Sequence, residues 1–296
     1  MTTFGKLHID KAITHGGYAH RDDFISSCIL FAHGVTSIER RDPTQKELED
    51  KNILVFDVGS EYDVEKLNFD HHQFTGDKSP TCALSLILQY LDLYESFTEC
   101  FDWMKQTEYI DVKGHFSFAK EIGCKGKDIQ SLLSPIEYEI LRLFGELNHI
   151  DNGMWIYKMM RNLGTSYVNK AKEFKEVYDY LGVSDEVKII SLDNELNIHV
   201  LFYPVSFRWS PFIALDAHVK RLKAQGYNVV AFISKDVRSE GFRLGRINDS
   251  THIDFNLIQN RDGIQFIHSN GFMAITKSLD FYQALECCIQ AVTDKN

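Results

Sequence analysis

The sequence predicts an α/β protein: a parallel-sheet domain with helices on both faces, followed by a smaller α+β domain. The first half contains near-continuous apolar runs, such as Ile53 to Phe56, which are typical of parallel strands covered on both faces. The second half changes to six strand-like runs with two helices. With 296 residues the chain is long for one compact domain and sufficient for two.

The domain limits follow from this change of character. We expect a first domain at residues 1–155, a helical linker at 156–185 and a second domain at 186–296. In the first domain the patterns predict strands at 7–14 and 52–58 and helices at 24–31, 82–93 and 134–147. In the second they predict strands at 187–191, 198–205, 228–234, 242–247, 265–268 and 272–276, and helices at 212–224 and 281–293.

Composition excludes some classes of protein. The net charge of −10 argues against a general polyanion-binding surface. One stretch, from Arg208 to Arg246, has eight basic and three acidic residues, and it is either a phosphate-binding face or solvated surface. The six cysteines lack Cys-x-x-Cys spacing, which favours reduced thiols in a cytoplasmic protein. No targeting segment or membrane span is evident, so we expect a soluble protein without a membrane partner.

Carboxylates and imidazoles follow the predicted strands and helices of the first half. Because the carboxyl ends of parallel strands meet at one edge, we expect several of these groups to lie together there. Aspartate and histidine suit Mn²⁺, Mg²⁺ or Zn²⁺. Taken singly, each group also fits a solvated loop or a helix cap. The groups are His15, His20 and Asp22, then Asp57, then Asp70, His71 and His72, and last Asp151.

This order resembles the DHH phosphoesterase superfamily, whose name is the Asp70-His71-His72 triplet. Within it, the sequence is most similar to the melanocyte-proliferating-gene exonuclease branch. Three further motifs carry that resemblance: Thr14-His15-x4-His20-x-Asp22, Ile150-Asp151-Asn152-Gly153 and His268-x-x-Gly271-Phe272. The sequence departs from the branch at Met273-Ala274, where a glycine pair is expected.

The resemblance implies a DHH-type catalytic domain with a two-metal site, for Mn²⁺ or alternatively Mg²⁺, in which Asp57 bridges the ions. His15 and His20 would complete one ion, and Asp22, His71 and Asp151 the other. Asp70 would orient a liganding imidazole, and His72 would contact the phosphoryl oxygens or serve the leaving group. The implied substrate contacts are Arg243, Arg246, His268, Asn270 and Gly271.

The leading functional hypothesis is a 3′–5′ exonuclease that acts on RNA or short oligonucleotides and releases 5′-mononucleotides. The alternatives are an inorganic pyrophosphatase, a phosphohydrolase of small or cyclic dinucleotides, and a nucleotide-binding sensor without activity. Aromatic residues beside arginines favour the exonuclease, because bases stack on such rings: Phe207, Trp209, Phe242 and Phe272. The oligomeric state stays open, with a homodimer among the alternatives.

Overall fold

The computed structural model describes residues 9–74, 81–132, 134–204, 212–277 and 280–293. The chain divides into two compact units, Met1–Glu173 and Phe174–Asn296. The division falls inside one long helix, within the predicted linker 156–185, while the predicted domain limits themselves stay predictions. The predicted α/β class is confirmed, because each unit contains a six-stranded sheet together with helices.

The first unit begins with a strand–loop–helix segment and ends in the long helix α8, which continues into the second unit. Its elements are β1 (Lys11–Thr14), α1 (Arg21–Ala32), β2 (Ser37–Arg40), α2 (Gln45–Leu48), β3 (Ile53–Phe56), β4 (Tyr62–Asp63), a 3₁₀ helix (Val64–Lys66), β5 (Asn68–Phe69), α3 (Ala83–Tyr90), α4 (Tyr94–Cys100), α5 (Trp103–Glu121), α6 (Gly126–Leu132), α7 (Pro135–Gly145), β6 (His149–Asp151) and α8 (Trp155–Val183).

The sheet of the first unit has the order β4-β5-β3-β1-β2-β6. Its four central strands are parallel, and the edge strands β4 and β6 run antiparallel to their neighbours. Successive side chains of a strand point to opposite faces. Ile13 and Val55 therefore pack on Leu48 of α2 on one face, while Ala12 and Leu54 are fully buried on the other. The apolar runs read from the sequence are thus buried on both faces.

Helix α1 is buried along nearly its whole length, as the run from Phe24 to Phe31 predicts. Its first turn is a capping box: the backbone N–H of His20 donates to the Asp23 carboxylate at 2.8 Å. The helix ends at Ala32, and Gly34 follows with φ +108°, a conformation that glycine adopts without strain. The capping box fixes the start of α1 and with it the positions of the acidic residues of the first turn, Asp22 and Asp23.

The second unit is built on a mixed sheet of order β11-β12-β10-β9-β8-β7, in which β8 and β9 are parallel and the other pairs antiparallel. Its buried core includes Val200, Ile233 and Leu244 and packs on α10 through Cys287 and Cys288. The elements are β7 (Lys188–Asp193), β8 (Ile198–Tyr203), α9 (Phe212–Ala224), β9 (Asn228–Lys235), β10 (Phe242–Arg246), a 3₁₀ helix (Phe255–Ile258), β11 (Ile264–Ile267), β12 (Met273–Thr276) and α10 (Phe281–Gln290).

Some sequence predictions fall on parts of the chain that lie outside the described residues. They are the start of the first strand before residue 9, the helix start at Ser79-Pro80, and the aromatic residues Phe207 and Trp209. Among the described helices, none is long and apolar enough to cross a membrane.

Candidate metal centre

Three parallel strands deliver the predicted residues to one edge of the first sheet. His15 follows β1, Asp57 follows β3, and Asp70 follows β5. Strand β3 pairs in parallel with both β1 and β5, so all three carboxyl ends meet at this edge. The sequence pattern and the sheet topology together account for this convergence.

Asp57 lies between two histidines, one on each carboxylate oxygen. Its Oδ2 is 3.2 Å from Nε2 of His15, and its Oδ1 is 3.2 Å from Nε2 of His71. Burial raises the pKa of Asp57, but the two histidines lower it more, to about 2. The residue has φ +54°, the left-handed region, which aspartate tolerates better than most side chains. This backbone turn aims the carboxylate away from the strand and into the cluster.

His71 also contacts a carboxylate that the motif analysis did not select. Oδ2 of Asp111, on α5, is 3.1 Å from Nε2 of His71. Burial lowers the pKa of His71, and the hydrogen bonds with Asp111 and Asp57 outweigh it and raise the pKa to about 9. Asp111 is nearly buried, with 10% of its side chain exposed. The helix thus contributes a fifth carboxylate to a site that already contains Asp22, Asp23, Asp57 and Asp70.

Asp22 is buried, with 1% of the residue exposed. Within the described part of the chain, neither of its carboxylate oxygens meets an N–H or O–H donor. The group beside it, Asp111, is itself a carboxyl, so the two can hydrogen-bond only if one keeps a proton. Burial first, and then the charges of Asp57, Asp111 and Asp23, raise the pKa of Asp22 well above its usual range. Such a group requires either a proton or a cation.

Asp23 has a different environment from Asp22, although the two are adjacent. Its Oδ2 lies 3.2 Å from a guanidinium nitrogen of the buried Arg40 and 3.3 Å from Nε2 of His15. Hydrogen bonds with Asp23 and Asp57 raise the pKa of His15 to about 10. Arg40 also donates to the carbonyl oxygens of Gly17 and Phe144. Asp23 is therefore neutralised by protein groups and holds the loop 15–20 in place, in addition to capping α1.

Asp70 orients the exposed histidine of the triplet. One of its oxygens accepts from Nδ1 of His72 at 2.6 Å and from the His72 backbone N–H at 3.1 Å. The other accepts from the backbone N–H of Ser60 at 2.6 Å. The His72 side chain is 59% exposed, and its other ring nitrogen, Nε2, points away from Asp70. An imidazole fixed at one nitrogen and open at the other is suited to proton transfer.

Among the described residues, three overlapping groups could hold a divalent ion, because one ligand atom from each member lies within 4.8 Å of the others. Oxygen and imidazole nitrogen ligands of this kind suit Mn²⁺ and Mg²⁺. The unsatisfied carboxylate of Asp22 is the observation that shows the fit. The groups are Asp57, Asp70, His71 and His72; His15, His20 and Asp57; and His20, Asp22 and Asp111.

The structure keeps Asp151 apart from these groups. Strand β6 runs antiparallel to β2 and pairs Asp151 with Ser37, which in turn pairs with Lys11 at the start of β1. Asp151 thus lies toward the opposite end of the sheet from His15. Its side chain is 45% exposed and accepts from Nε2 of His149 and from the Gly153 N–H. The proposed role of Asp151 as a ligand stays a prediction, and Asp111 is the acid that the structure brings to the cluster.

The predicted substrate residues of the second unit fall into two places. Arg246 lies beside the turn between β11 and β12, where its backbone N–H donates to the Phe272 carbonyl at 2.8 Å. The same turn contains His268, Asn270 and Gly271, and the His268 ring packs on Phe272 with centroids 4.1 Å apart. Arg243 precedes Arg246 by three residues in the regular strand β10, so its side chain points to the opposite face of the sheet. The two arginines therefore do not converge on one phosphate within this unit.

Residues 11–104 match the family model MYG1_exonuc, described as an uncharacterised protein family, UPF0160. Over 144 residues the chain is 32% identical to the MYG1 protein of Chlamydia pneumoniae, a stretch that covers 45% of this chain and 48% of the relative. The chain therefore spans about half the length of the curated relative it matches. Over residues 11–104, the family-model match confirms the predicted resemblance to the melanocyte-proliferating-gene exonuclease branch.

Two solved structures are similar at low identity. RecJ from Thermus thermophilus, in complex with Mn²⁺, is 14% identical, with 95% of this chain and 51% of that chain covered and a TM-score of 0.30. PggH from Vibrio cholerae, a pGpG-specific phosphodiesterase, is 13% identical, with 96% and 98% covered and a TM-score of 0.28. The fold described above rests on the chain's own two sheets.

Proposed function

We propose that this protein is a divalent-metal-dependent phosphodiesterase that removes 5′-mononucleotides from the 3′ end of RNA or short oligonucleotides. The metal would be Mn²⁺, with Mg²⁺ as the alternative, and two ions would share the cluster. Asp22 carries this proposal. A buried carboxylate without a donor, with other carboxylates around it, is costly unless a cation is bound beside it.

Asp57 supports a shared site for two ions. Each of its oxygens faces a different histidine, His15 on one side and His71 on the other, so one carboxylate reaches two neighbouring ligand groups. Two bound ions of this type polarise phosphoryl oxygens and lower the pKa of a water molecule. Asp22 of α1 and Asp111 of α5 would supply negative charge to the ions, and Asp23 with Arg40 fixes the loop that bears His15.

His72 is our candidate for proton transfer to the leaving oxygen. Its Nδ1 is held by the buried Asp70 at 2.6 Å, and its exposed ring edge is directed toward solvent. A histidine oriented by a carboxylate in this way donates or accepts a proton at the second nitrogen. Asp70 acts on the reaction through His72 and is therefore a positioning residue.

The charges beside the cluster favour a nucleotide over inorganic pyrophosphate. A compact polyanion needs several uncommitted lysines or arginines, whereas Arg21 is paired with Glu137 and Arg40 with Asp23. The loop 15–20 instead presents the ring of Tyr18, which is 93% exposed. An exposed aromatic side chain beside a phosphoester site suits base stacking. The five buried free thiols fit a cytoplasmic protein, which we also propose.

A time course on single-stranded RNA labelled at its 5′ end tests the proposal. With Mn²⁺ we expect a descending ladder of products, and with a chelator an intact band. Asp57→Asn should abolish the ladder while the circular dichroism spectrum stays native, because the amide cannot replace the anionic oxygens. Asp262→Asn, at an exposed position in the second unit, is the matched control and should cut like the wild type.

Two results would contradict the proposal. An intact RNA band with Mn²⁺ would remove RNA exonuclease activity and make cyclic dinucleotides and pyrophosphate the next substrates. A ladder that persists in Asp57→Asn would identify a contaminating nuclease or a different catalytic centre.

A further inference from the structure

A cavity of about 300 Å³ opens beside the candidate metal centre, within the first unit. It lies between the start of α1, the middle of α5 and the start of α7. His20, Asp22 and Asp111, which form one of the candidate ligand groups, also line this cavity. A phosphate bound at the cluster would therefore have its attached groups at the mouth of the cavity.

The walls of the cavity away from the cluster are apolar and aromatic. Ile110 of α5 faces Tyr138 and Leu141 of α7, which lie three residues apart and so share one side of their helix. Tyr138 is 66% exposed, so its ring is accessible to a ligand in the cavity. The His115 ring completes this lining. Flat ligands stack on such rings.

An ion pair closes one side of the cavity and ties three helices together. Arg21 of α1 donates through two nitrogens to the carboxylate of Glu137 on α7, at 2.5 and 3.0 Å, and through a third to Thr107 of α5 at 3.4 Å. Because these contacts join α1, α5 and α7, the cavity is held open by the fold itself. Preformed cavities with apolar walls and few polar groups are the usual form of small-molecule sites.

The charges decide which part of a substrate the cavity accepts. Asp22 and Asp111 line it, and its Arg21 is paired with Glu137, so this lining offers a second phosphate no uncommitted arginine. A neutral, planar group needs no such partner and gains contact with Tyr138, Leu141 and Ile110. The volume is at the lower end of ligand pockets, enough for one nucleoside and too small for two.

We propose that this cavity binds the nucleoside, base and ribose, of the nucleotide whose phosphate lies at the metal cluster. The inference rests on the proposed function and adds a base-binding subsite built from α5 and α7. It assigns Tyr138 as the stacking platform and Leu141 as the apolar wall. Such a subsite would accept a nucleotide with any of the bases, because stacking contacts do not read base edges.

Isothermal titration calorimetry of the full chain with Mn²⁺ tests this subsite. The probes are AMP and ribose 5-phosphate, which differ only in the base. We expect wild-type protein to bind AMP at least about tenfold more tightly, the size of one stacking contact. Leu141→Trp, which fills the cavity, and Tyr138→Ala, which removes the platform, should each bring the two affinities together. Ile136→Trp, at a 72% exposed position of α7 outside the cavity, should leave the difference intact.

The outcomes separate this proposal from the proposed function. Equal affinity of the wild type for the two probes, including no binding of either, overturns the subsite, whatever the RNA assay shows. A preference for AMP that survives in both Leu141→Trp and Tyr138→Ala places the base elsewhere and also overturns it. Loss of the preference in these variants supports the subsite even if long RNA is not cut. If Leu141→Trp melts early, Tyr138→Ala decides, because its exposed ring contributes little to the core.

Discussion

At the scale of single residues, the cluster combines acids that the protein pairs with donors and one acid, Asp22, neither of whose oxygens has a donor among the described residues. Asp23 has Arg40 and His15, and Asp70 has three N–H donors, whereas Asp22 has none of these among the described residues. Proteins retain buried unpaired acids mainly where a ligand or a reaction uses them. Of these two adjacent acids, Asp23 therefore supports the structure, and Asp22 is the candidate metal ligand.

Asp111 and Asp151 are expected to differ in their effects on metal binding and turnover. Asp111→Asn should weaken Mn²⁺ binding and lower turnover by about a hundredfold, because it removes a carboxylate from the cluster. Asp151→Asn should change both by less than about threefold, since that side chain lies toward the opposite end of the sheet. Titration calorimetry with Mn²⁺ and single-turnover rates measure the two effects. The reverse order of effects would restore Asp151 as the ligand and remove Asp111.

Much of the site could be predicted from the sequence because its residues directly follow strands. His15, Asp57 and the Asp70-His71-His72 triplet are fixed by strand ends, and parallel strands bring their ends together. Asp111 comes from the middle of a helix, so only packing brings it to the edge. A signal did exist: Met104, Thr107 and Glu108 are buried on the face of α5 that also bears Asp111, at helical spacing. A carboxylate in such a row is a candidate for a site.

At the scale of elements, strand β6 explains why Asp151 could not be placed from the sequence. The pattern around Asp151 resembles a loop that ends a helix, but residues 149–151 form an antiparallel edge strand. Register and direction of an edge strand depend on its partner and are absent from the local sequence. The orientations of Arg243 and Arg246 in β10 could, by contrast, be predicted from the sequence. Their spacing of three residues already indicates opposite faces of a strand.

Helix α9 carries a buried histidine, His218. Burial first, and then the positive charge of Arg221, lower the pKa of His218 to about 4. Its Nδ1 accepts from Arg221 at 2.6 Å, and the Arg221 guanidinium lies over the Tyr178 ring at 4.6 Å. The neutral imidazole thus belongs to a set of contacts that holds α9 near the last turns of α8.

Acidification should therefore destabilise the second unit. In the unfolded chain His218 is protonated below its ordinary pKa of 6.5. In the folded chain its imidazole stays neutral until the pH falls to its lowered pKa of about 4. The contribution of the neutral form to stability is complete above pH 6.5 and is lost as the pH falls toward 4. At pH 5 the free energy of unfolding should drop by about 2 kcal/mol from this group. Urea unfolding at pH 7 and pH 5 measures it, and His218→Gln should lose that part of the pH dependence. Equal pH dependence of the variant and the wild type would exclude His218 as the source.

At the scale of the whole molecule, the elements of the second unit were largely predictable, whereas only β1 and β3 of the first sheet's six strands were predicted. The helix at 212–224 agrees with α9, and the strands at 228–234 and 242–247 agree with β9 and β10 to within one residue. These elements have strong periodicity and clear apolar content. Residues 96–127 mix aromatic and charged side chains, and their helices α4, α5 and α6 depend on tertiary packing that single-sequence patterns do not contain.

The first sheet brings acids together at one edge, and the helices α1 and α5 add negative charge there. The cationic side chains described at this edge are too few to balance it. Folding such a cluster costs stability, which bound metal ions would restore. The melting temperature of the whole chain should therefore depend on divalent metal.

The most direct test is the melting temperature of wild type and Asp22→Asn, each with chelator and with Mn²⁺. At a Mn²⁺ concentration one hundred times the dissociation constant, the wild type should gain about 5 to 10 °C. Asp22→Asn should melt in chelator no lower than the wild type, because repulsion is relieved, and should lose most of the gain from Mn²⁺. Asp262→Asn should behave like the wild type. A variant that melts lower in chelator and keeps the full gain from Mn²⁺ would contradict the assignment of Asp22 to a metal centre.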